Sequence, residues 1–152
     1  MKNPKYTKKK DWIWLISGMV ITALYLIFST QLYELLYYNG EFSNEMYSEN
    51  MYLVVAAYTS ILVWSVVVLY YLVIDRFERW YHWLIALVVV LALSPNVTYI
   101  YCGSYFKDND LDILMIPLRN FNIINTVITL IMFCIVCLSV KKLSSHCSTT
   151  PF

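Results

Sequence analysis

Four long runs without a charged residue dominate the chain. Even the shortest of them, residues 120–140, is longer than the roughly 20 residues that an α-helix needs to cross the hydrocarbon of a bilayer. Lipid offers the backbone no hydrogen-bond partner, so a run of this length inside a membrane must be helical. The other three runs are residues 12–33, 50–74 and 80–106.

The composition agrees with a membrane location. Hydrophobic residues make up 60% of the chain and charged residues 14%, and a soluble domain of this size has too much surface for its volume to hide so much apolar area. We therefore predict an all-α, polytopic membrane protein with a single domain, built as an antiparallel bundle of four transmembrane helices. The predicted spans lie near residues 12–32, 52–74, 82–101 and 121–140, and residues 141–152 form a flexible tail.

Lysine and arginine predict the orientation, because they concentrate on the cytoplasmic side of a membrane. Of the 11 basic residues, only Lys107 and Arg119 fall in the connections 33–51 and 102–120. We expect both termini to be cytoplasmic (N-in, C-in), those two connections to be outside, and the membrane to be the bacterial inner membrane. Cysteine labelling of intact cells is then expected to reach Cys102 and to miss Cys147.

Several function classes are disfavoured by what the spans contain. No Asp, Glu, Lys, Arg or His lies at mid-membrane depth, where ion and proton pathways place them. No nucleophile–base set or metal-ligand spacing occurs, so we expect neither an enzyme nor a bound cofactor. Cys134 and Cys137 share a helical face, but no second cysteine pair or nearby charge accompanies them, so they are interpreted as apolar packing residues. The net charge of +1 argues against a nucleic-acid partner.

One stripe of uncharged polar residues on the fourth span is the first candidate site. Its members recur at helical spacing and would leave unsatisfied hydrogen-bonding groups if they faced lipid, so they are expected to face protein or water. Two interpretations remain: hydrogen bonds that hold the helices together, or an outward-facing pocket completed by Asn96 beside a bend at Pro95. The stripe residues are Asn122, Asn125, Thr126 and Thr129.

A second candidate precedes the second span. Glu41, Glu45 and Glu49 recur every four residues, so a helical extension of that span would place three carboxylates on one face. Such a face is either merely solvated or a docking surface for a basic partner, and interleaved aromatic residues are typical of interfaces.

These features favour a structural or assembly subunit of a larger cell-envelope complex, of which secretion-type machinery is one example. The expected partners are the lipid bilayer and other membrane-protein subunits. Self-association is also expected to be feasible, because the pairs Gly18–Thr22 and Ala56–Ser60 permit close helix approach. The alternative is a membrane-embedded binding or transport protein whose polar pocket takes a neutral or zwitterionic ligand or lipid.

Overall fold

The computed structural model describes residues 9–73 and 80–141. Within these two ranges all regular structure is helical, which confirms the all-α prediction. A π-helical turn (Leu69–Val73) follows α4, and a 3-10 turn (Asp112–Leu114) precedes α6. The helices are α1 (Lys9–Ile27), α2 (Ser29–Leu36), α3 (Gly40–Ser48), α4 (Met51–Val68), α5 (Trp80–Asp108) and α6 (Met115–Lys141).

Among the described residues, three helical segments are long and apolar enough to cross a membrane: Met51–Tyr71, Tyr81–Asp108 and Asp112–Lys141. α1 and α2 together form a fourth such segment if the bent pair is counted as one span. The chain therefore has the make-up of a multi-pass membrane protein. The predicted inner connection, the tail after residue 141, Cys147 and most of the basic residues that predict the orientation lie outside the described residues.

The first predicted span, near residues 12–32, is not a straight helix. α1 and α2 meet at Phe28 with a bend of 70°. At the bend the Ser29 hydroxyl donates to the carbonyl of Leu26, 3.0 Å away, and such bonds from serine to the preceding turn compete with the helical ladder and bend helices. The bend is physically important because it turns Tyr33 of α2 back toward the bundle.

The helices also continue beyond the predicted spans. α5 runs seven residues past position 101 and ends at Asp108, so only residues 109–111 separate it from the 3-10 turn. A charged residue indicates where a helix can meet water, but it does not end the helix. Cys102 consequently lies within α5 and is fully buried. The expectation that a labelling reagent reaches Cys102 is therefore wrong, because access is blocked by packing on either side of a membrane.

α3 is a separate, well-capped helix and not an extension of α4. At its start Asn39 Oδ1 accepts from the amide of Phe42, and the Asn39 amide donates to Ser43 Oγ. At its end Asn50 adopts a left-handed conformation (φ 53°), which asparagine tolerates better than most residues. This break leaves Glu41 and Glu45 on α3 and places Glu49 just past its last residue.

Four long elements build the bundle. α4 and α6 contact each other, and each of them contacts both α1 and α5, so α1 and α5 lie on opposite sides of a central pair. α5 and α6 run antiparallel, since Asn125 pairs with Thr98 while Thr129, four residues further along α6, pairs with Ser94. The largest fully buried side chains cluster at the end where α2 and α3 lie, which we call the α3 end.

Candidate functional site

Asn125 is the centre of a buried hydrogen-bond network that joins four helices. Its Oδ1 accepts a hydrogen bond of 2.7 Å from the Tyr33 hydroxyl of α2, and Thr59 Oγ1 of α4 lies 3.5 Å from the same oxygen. Its Nδ2 donates to Thr98 Oγ1 of α5 at 3.1 Å. The Asn125 side chain is fully buried. One amide on α6 therefore contacts α2, α4 and α5 at once.

The directions of the bonds follow from the single proton on each hydroxyl. Tyr33 donates its proton to Asn125, so the Tyr25 hydroxyl, 2.7 Å away on α1, must donate to the oxygen of Tyr33. The network thereby extends to α1. Within the described residues, each helix that is apolar enough to cross a membrane, and the bent pair α1–α2, contributes at least one side chain to it.

A second branch reaches the backbone of Asn125. The Thr129 hydroxyl donates to the Asn125 carbonyl at 2.7 Å, so Ser94, 3.0 Å from Thr129, must donate to Thr129. By the same reasoning Thr59, 3.0 Å from Ser94, donates its single proton to Ser94. Its longer approach to Asn125 Oδ1, at 3.5 Å, is then a contact without a donated proton. Thr59, Ser94 and Thr129 are all buried. The result is a directed chain of hydroxyls across α4, α5 and α6 that ends at Asn125.

The other stripe residues take different positions. Asn122 is half-buried and its Nδ2 donates to the carbonyl of Pro95 on α5 at 2.9 Å, while its Oδ1 is buried and has no hydrogen-bond partner among the described residues. Thr126 only bonds back to the carbonyl of Asn122 in its own helix. Asn96 is exposed and donates to Ala92, again within its own helix. α5 is continuous through Pro95.

Two residues of the network were missed by the sequence reasoning. Tyr25 and Tyr33 carry the links from α1 and α2, but tyrosines near the ends of spans are also common as interfacial anchors. The eight-residue separation of the two tyrosines places their hydroxyls together only because of the bend at Phe28. The one available signal was Ser29 and Thr30 side by side within an apolar helix, which is a composition that favours a bend.

An aromatic cluster closes the α3 end above the network. Tyr33 stacks on Tyr52 (ring centroids 5.8 Å apart) and packs against Phe121 (4.9 Å). Phe42 of α3 contacts Phe121 and, at 6.0 Å, Phe106 of α5. All five rings are fully buried. This cluster ties α3 to α2, α4, α5 and α6, so α3 is held as a fixed part of the fold.

α3 presents a polar face opposite its packed face. Phe42, Ser43 and Met46 are buried, whereas Glu41 and Tyr47 are exposed and Glu45 is half-exposed. Glu49 is also exposed at the end of the helix. Of the three predicted docking carboxylates, two therefore share a helical face and the third stands beside it.

The small-residue pairs are used within the chain. A Cβ at Gly18 would meet Ser139 of α6, and the Trp64 indole of α4 donates to Thr22 Oγ1 at 3.0 Å. Ala56 and Ser60 are buried in α4. These close approaches hold α1, α4 and α6 of one molecule together, so they are not open faces for a second copy.

The described residues hold no group of three or more His, Cys, Asp or Glu side chains placed to bind a metal ion. Cys102, Cys134 and Cys137 are free thiols. An apolar cavity of about 290 Å³ lies between the π-helical end of α4 and the start of α5, away from the polar stripe, and Val66, Tyr70, His82, Ile85 and Val89 contribute to its lining.

Comparisons with models of protein families, with curated proteins and with solved structures found no match.

Proposed function

We propose that this chain is a non-catalytic membrane subunit that docks a partner protein through the polar face of α3. The observation that carries the proposal is the way α3 is held. A cluster of five fully buried aromatic rings, which includes Phe42 of α3, and a reciprocal cap at Asn39 hold this nine-residue helix in place, and its exposed residues include Glu41 and Tyr47. Fixing a polar face in this way lowers the entropy that a partner must overcome on binding.

The partner's chemistry follows from charge. Glu41, Glu45 and Glu49 cluster on one side of the α3 end, and aromatic residues such as Tyr47 supply contact area at low entropic cost. We propose a basic segment of another envelope protein as the occupant, within a larger complex such as a secretion-type machine. Charge complementarity of this kind mainly sets specificity and the rate of encounter.

The alternative function, a pocket for a neutral or zwitterionic ligand along the α6 stripe, has one observation in its favour. The buried Asn122 Oδ1 has no partner among the described residues. The polar groups of Asn125 and Thr129, however, are engaged by other side chains and by the backbone. This pattern supports the interpretation of the stripe as a connection between helices over its interpretation as a ligand site.

The orientation is part of the proposal: both termini cytoplasmic, and the α3 end outside the bacterial inner membrane. We expect cysteine introduced as Ser48→Cys, an exposed position at the end of α3, to react with a membrane-impermeant maleimide on intact cells. The native Cys147 is expected to react only after the cells are opened. The reverse pattern would show that the α3 end faces the cytoplasm. It would contradict the proposal that the partner binds on the outer side of the membrane.

Site-specific photo-crosslinking tests the docking face. We expect a photoreactive residue at Tyr47, which is 66% exposed on α3, to give a discrete protein adduct. The matched control is Ile61 of α4, which is 65% exposed but lies within a transmembrane helix, where lipid is the expected neighbour. Replacing Glu41 and Glu45 with lysine is expected to reduce the Tyr47 adduct at least about tenfold, because like charges then oppose the basic partner.

The crosslinking result has clear contrary outcomes. An adduct at Ile61 as strong as that at Tyr47 would place the interface on the transmembrane surface. An adduct at Tyr47 that survives the double lysine substitution would exclude charge complementarity as the basis of docking.

A further inference from the structure

A groove of about 570 Å³ runs along the surface of α5 beside α4, and no residue of the α6 stripe lines it. It is formed almost entirely by side chains of α5, with one tyrosine from α4 on its edge. Its lining includes Tyr58, Val97, Ile100, Tyr101, Tyr105 and Asp108.

The chemistry of the groove changes along its length. Val97 and Ile100 form its apolar end, and Asp108, the last residue of α5, forms its charged end. Asp108 is eleven positions after Val97, which in a helix corresponds to about 16 Å. The polarity of the groove therefore changes from apolar to charged over roughly half the thickness of a bilayer core.

Tyrosine rings occupy the zone between the two ends. Tyr58 and Tyr101 are in edge-to-face contact, with ring centroids 5.9 Å apart, and both are partly exposed to the groove. Tyr105 lies one helical turn beyond Tyr101 toward Asp108. The faces of aromatic rings attract cations, and several rings around one space are the usual way in which proteins recognise quaternary ammonium groups.

Carboxylates surround the polar end of the groove. Asp108 lines it directly, and Glu49 and Glu45 are near enough to the Tyr105 side chain to act on it electrostatically. Lys107, the neighbouring basic residue, is not part of the lining. The polar end therefore combines ring faces with negative charge, which favours a cation and repels an anion.

We propose that this groove binds a phospholipid with a choline-type headgroup. The trimethylammonium group lies between Tyr101, Tyr105 and Asp108, and an acyl chain follows the apolar surface of Val97 and Ile100. A zwitterionic lipid fits both ends of the groove at once, whereas a free cation would use only one. The groove borders the proposed partner-docking face, because Glu45 and Glu49 lie near Tyr105. Tyr101 and Asp108 are not docking residues, so substitutions there test the lipid proposal separately from the docking proposal.

Native mass spectrometry of the full chain in non-ionic detergent tests the proposal. The protein is equilibrated with micelles that contain equal amounts of phosphatidylcholine and phosphatidylglycerol with identical acyl chains. We expect phosphatidylcholine adducts to exceed phosphatidylglycerol adducts by about threefold to tenfold. Cation–π contacts and charge pairs at partly exposed sites stabilise a bound group by amounts that correspond to ratios of this size. Tetramethylammonium chloride is expected to lower the phosphatidylcholine adducts more than sodium chloride does at equal ionic strength.

Matched variants separate the groove from general surface effects. Tyr101→Leu and Asp108→Asn are each expected to bring the lipid ratio close to one. Two control variants are expected to leave the lipid ratio unchanged. Tyr99→Leu is on the same helix but outside the lining, and Asp110→Asn is at a left-handed position that accommodates asparagine. Equal adducts of the two lipids on the unaltered protein, or a ratio unchanged by Tyr101→Leu, would overturn the proposal. The tetramethylammonium competition decides the case if a variant fails to fold.

Discussion

Replacing Asn125 with leucine is expected to lower the free energy of unfolding by about 2–4 kcal/mol. The substitution removes the acceptor of Tyr33 and the donor to Thr98, and it takes away the contact with Thr59. Interhelical hydrogen bonds in membranes contribute about 0.6 kcal/mol each on average, and a buried donor left without a partner costs about 1–3 kcal/mol more. Equilibrium unfolding in mixed micelles with increasing dodecyl sulfate measures the change.

Asn96→Leu is the matched control for that experiment. Asn96 is exposed and bonds only within its own helix, so the same substitution there is expected to change stability by less than about 0.5 kcal/mol. If the two variants lose the same stability, or if Asn125→Leu unfolds like the unaltered chain, the network does not hold the bundle together. Asn125 would then have to be explained by a ligand.

The second large effect is expected at Gly18, where an added methyl group has no room. A Cβ there would lie 2.6 Å from Ser139 Cβ, closer than side-chain carbons approach in proteins. We expect Gly18→Ala to destabilise the protein by about 1–3 kcal/mol, since overpacking forces α1 and α6 apart. The direction of the stability change is informative, because alanine is a better helix former than glycine by about 1 kcal/mol. Without the close contact, Gly18→Ala would therefore stabilise α1.

Two further variants test this explanation. Gly103→Ala is expected to be neutral or stabilising, because its Cβ would meet only side-chain ends at ordinary contact distances, Met115 Cε at 3.4 Å and Leu118 Cδ2 at 3.7 Å. Ser139→Gly added to Gly18→Ala is expected to recover most of the loss, since the Ser139 hydroxyl bonds only within its own helix. A double variant no better than Gly18→Ala would contradict the close contact between α1 and α6.

The sequence alone predicts the helices and the polar face of α6, but not the contacts between the helices. The long uncharged runs predict helices because backbone groups in lipid have no other partner. The spacing of Asn125 and Thr129 predicts that they face protein or water, and both are buried between helices. Periodicity, however, describes one helix at a time. It says which face of α6 is polar, but not that Tyr33 will reach Asn125.

The features that could not be predicted from the sequence depend on local interruptions of the helices. The bend at Phe28 and the left-handed Asn50 each redirect a helix by a small difference in backbone energy, which apolar periodicity does not record. Both breaks determine the candidate site. The first brings Tyr33 to Asn125. The second ends α3 as a helix separate from α4, with Glu49 directly after its last residue.

The central claim, that this chain is a subunit which docks through α3, is tested most directly by the protein mass of the particle extracted in mild detergent. Light scattering with separate refractive-index and absorbance detection gives that mass without the detergent. The account predicts a mass above the 17.9 kDa of one chain, with a second polypeptide in fixed ratio that is lost when Glu41 and Glu45 are replaced by lysine. A particle of 17.9 kDa that contains only this chain would contradict the claim.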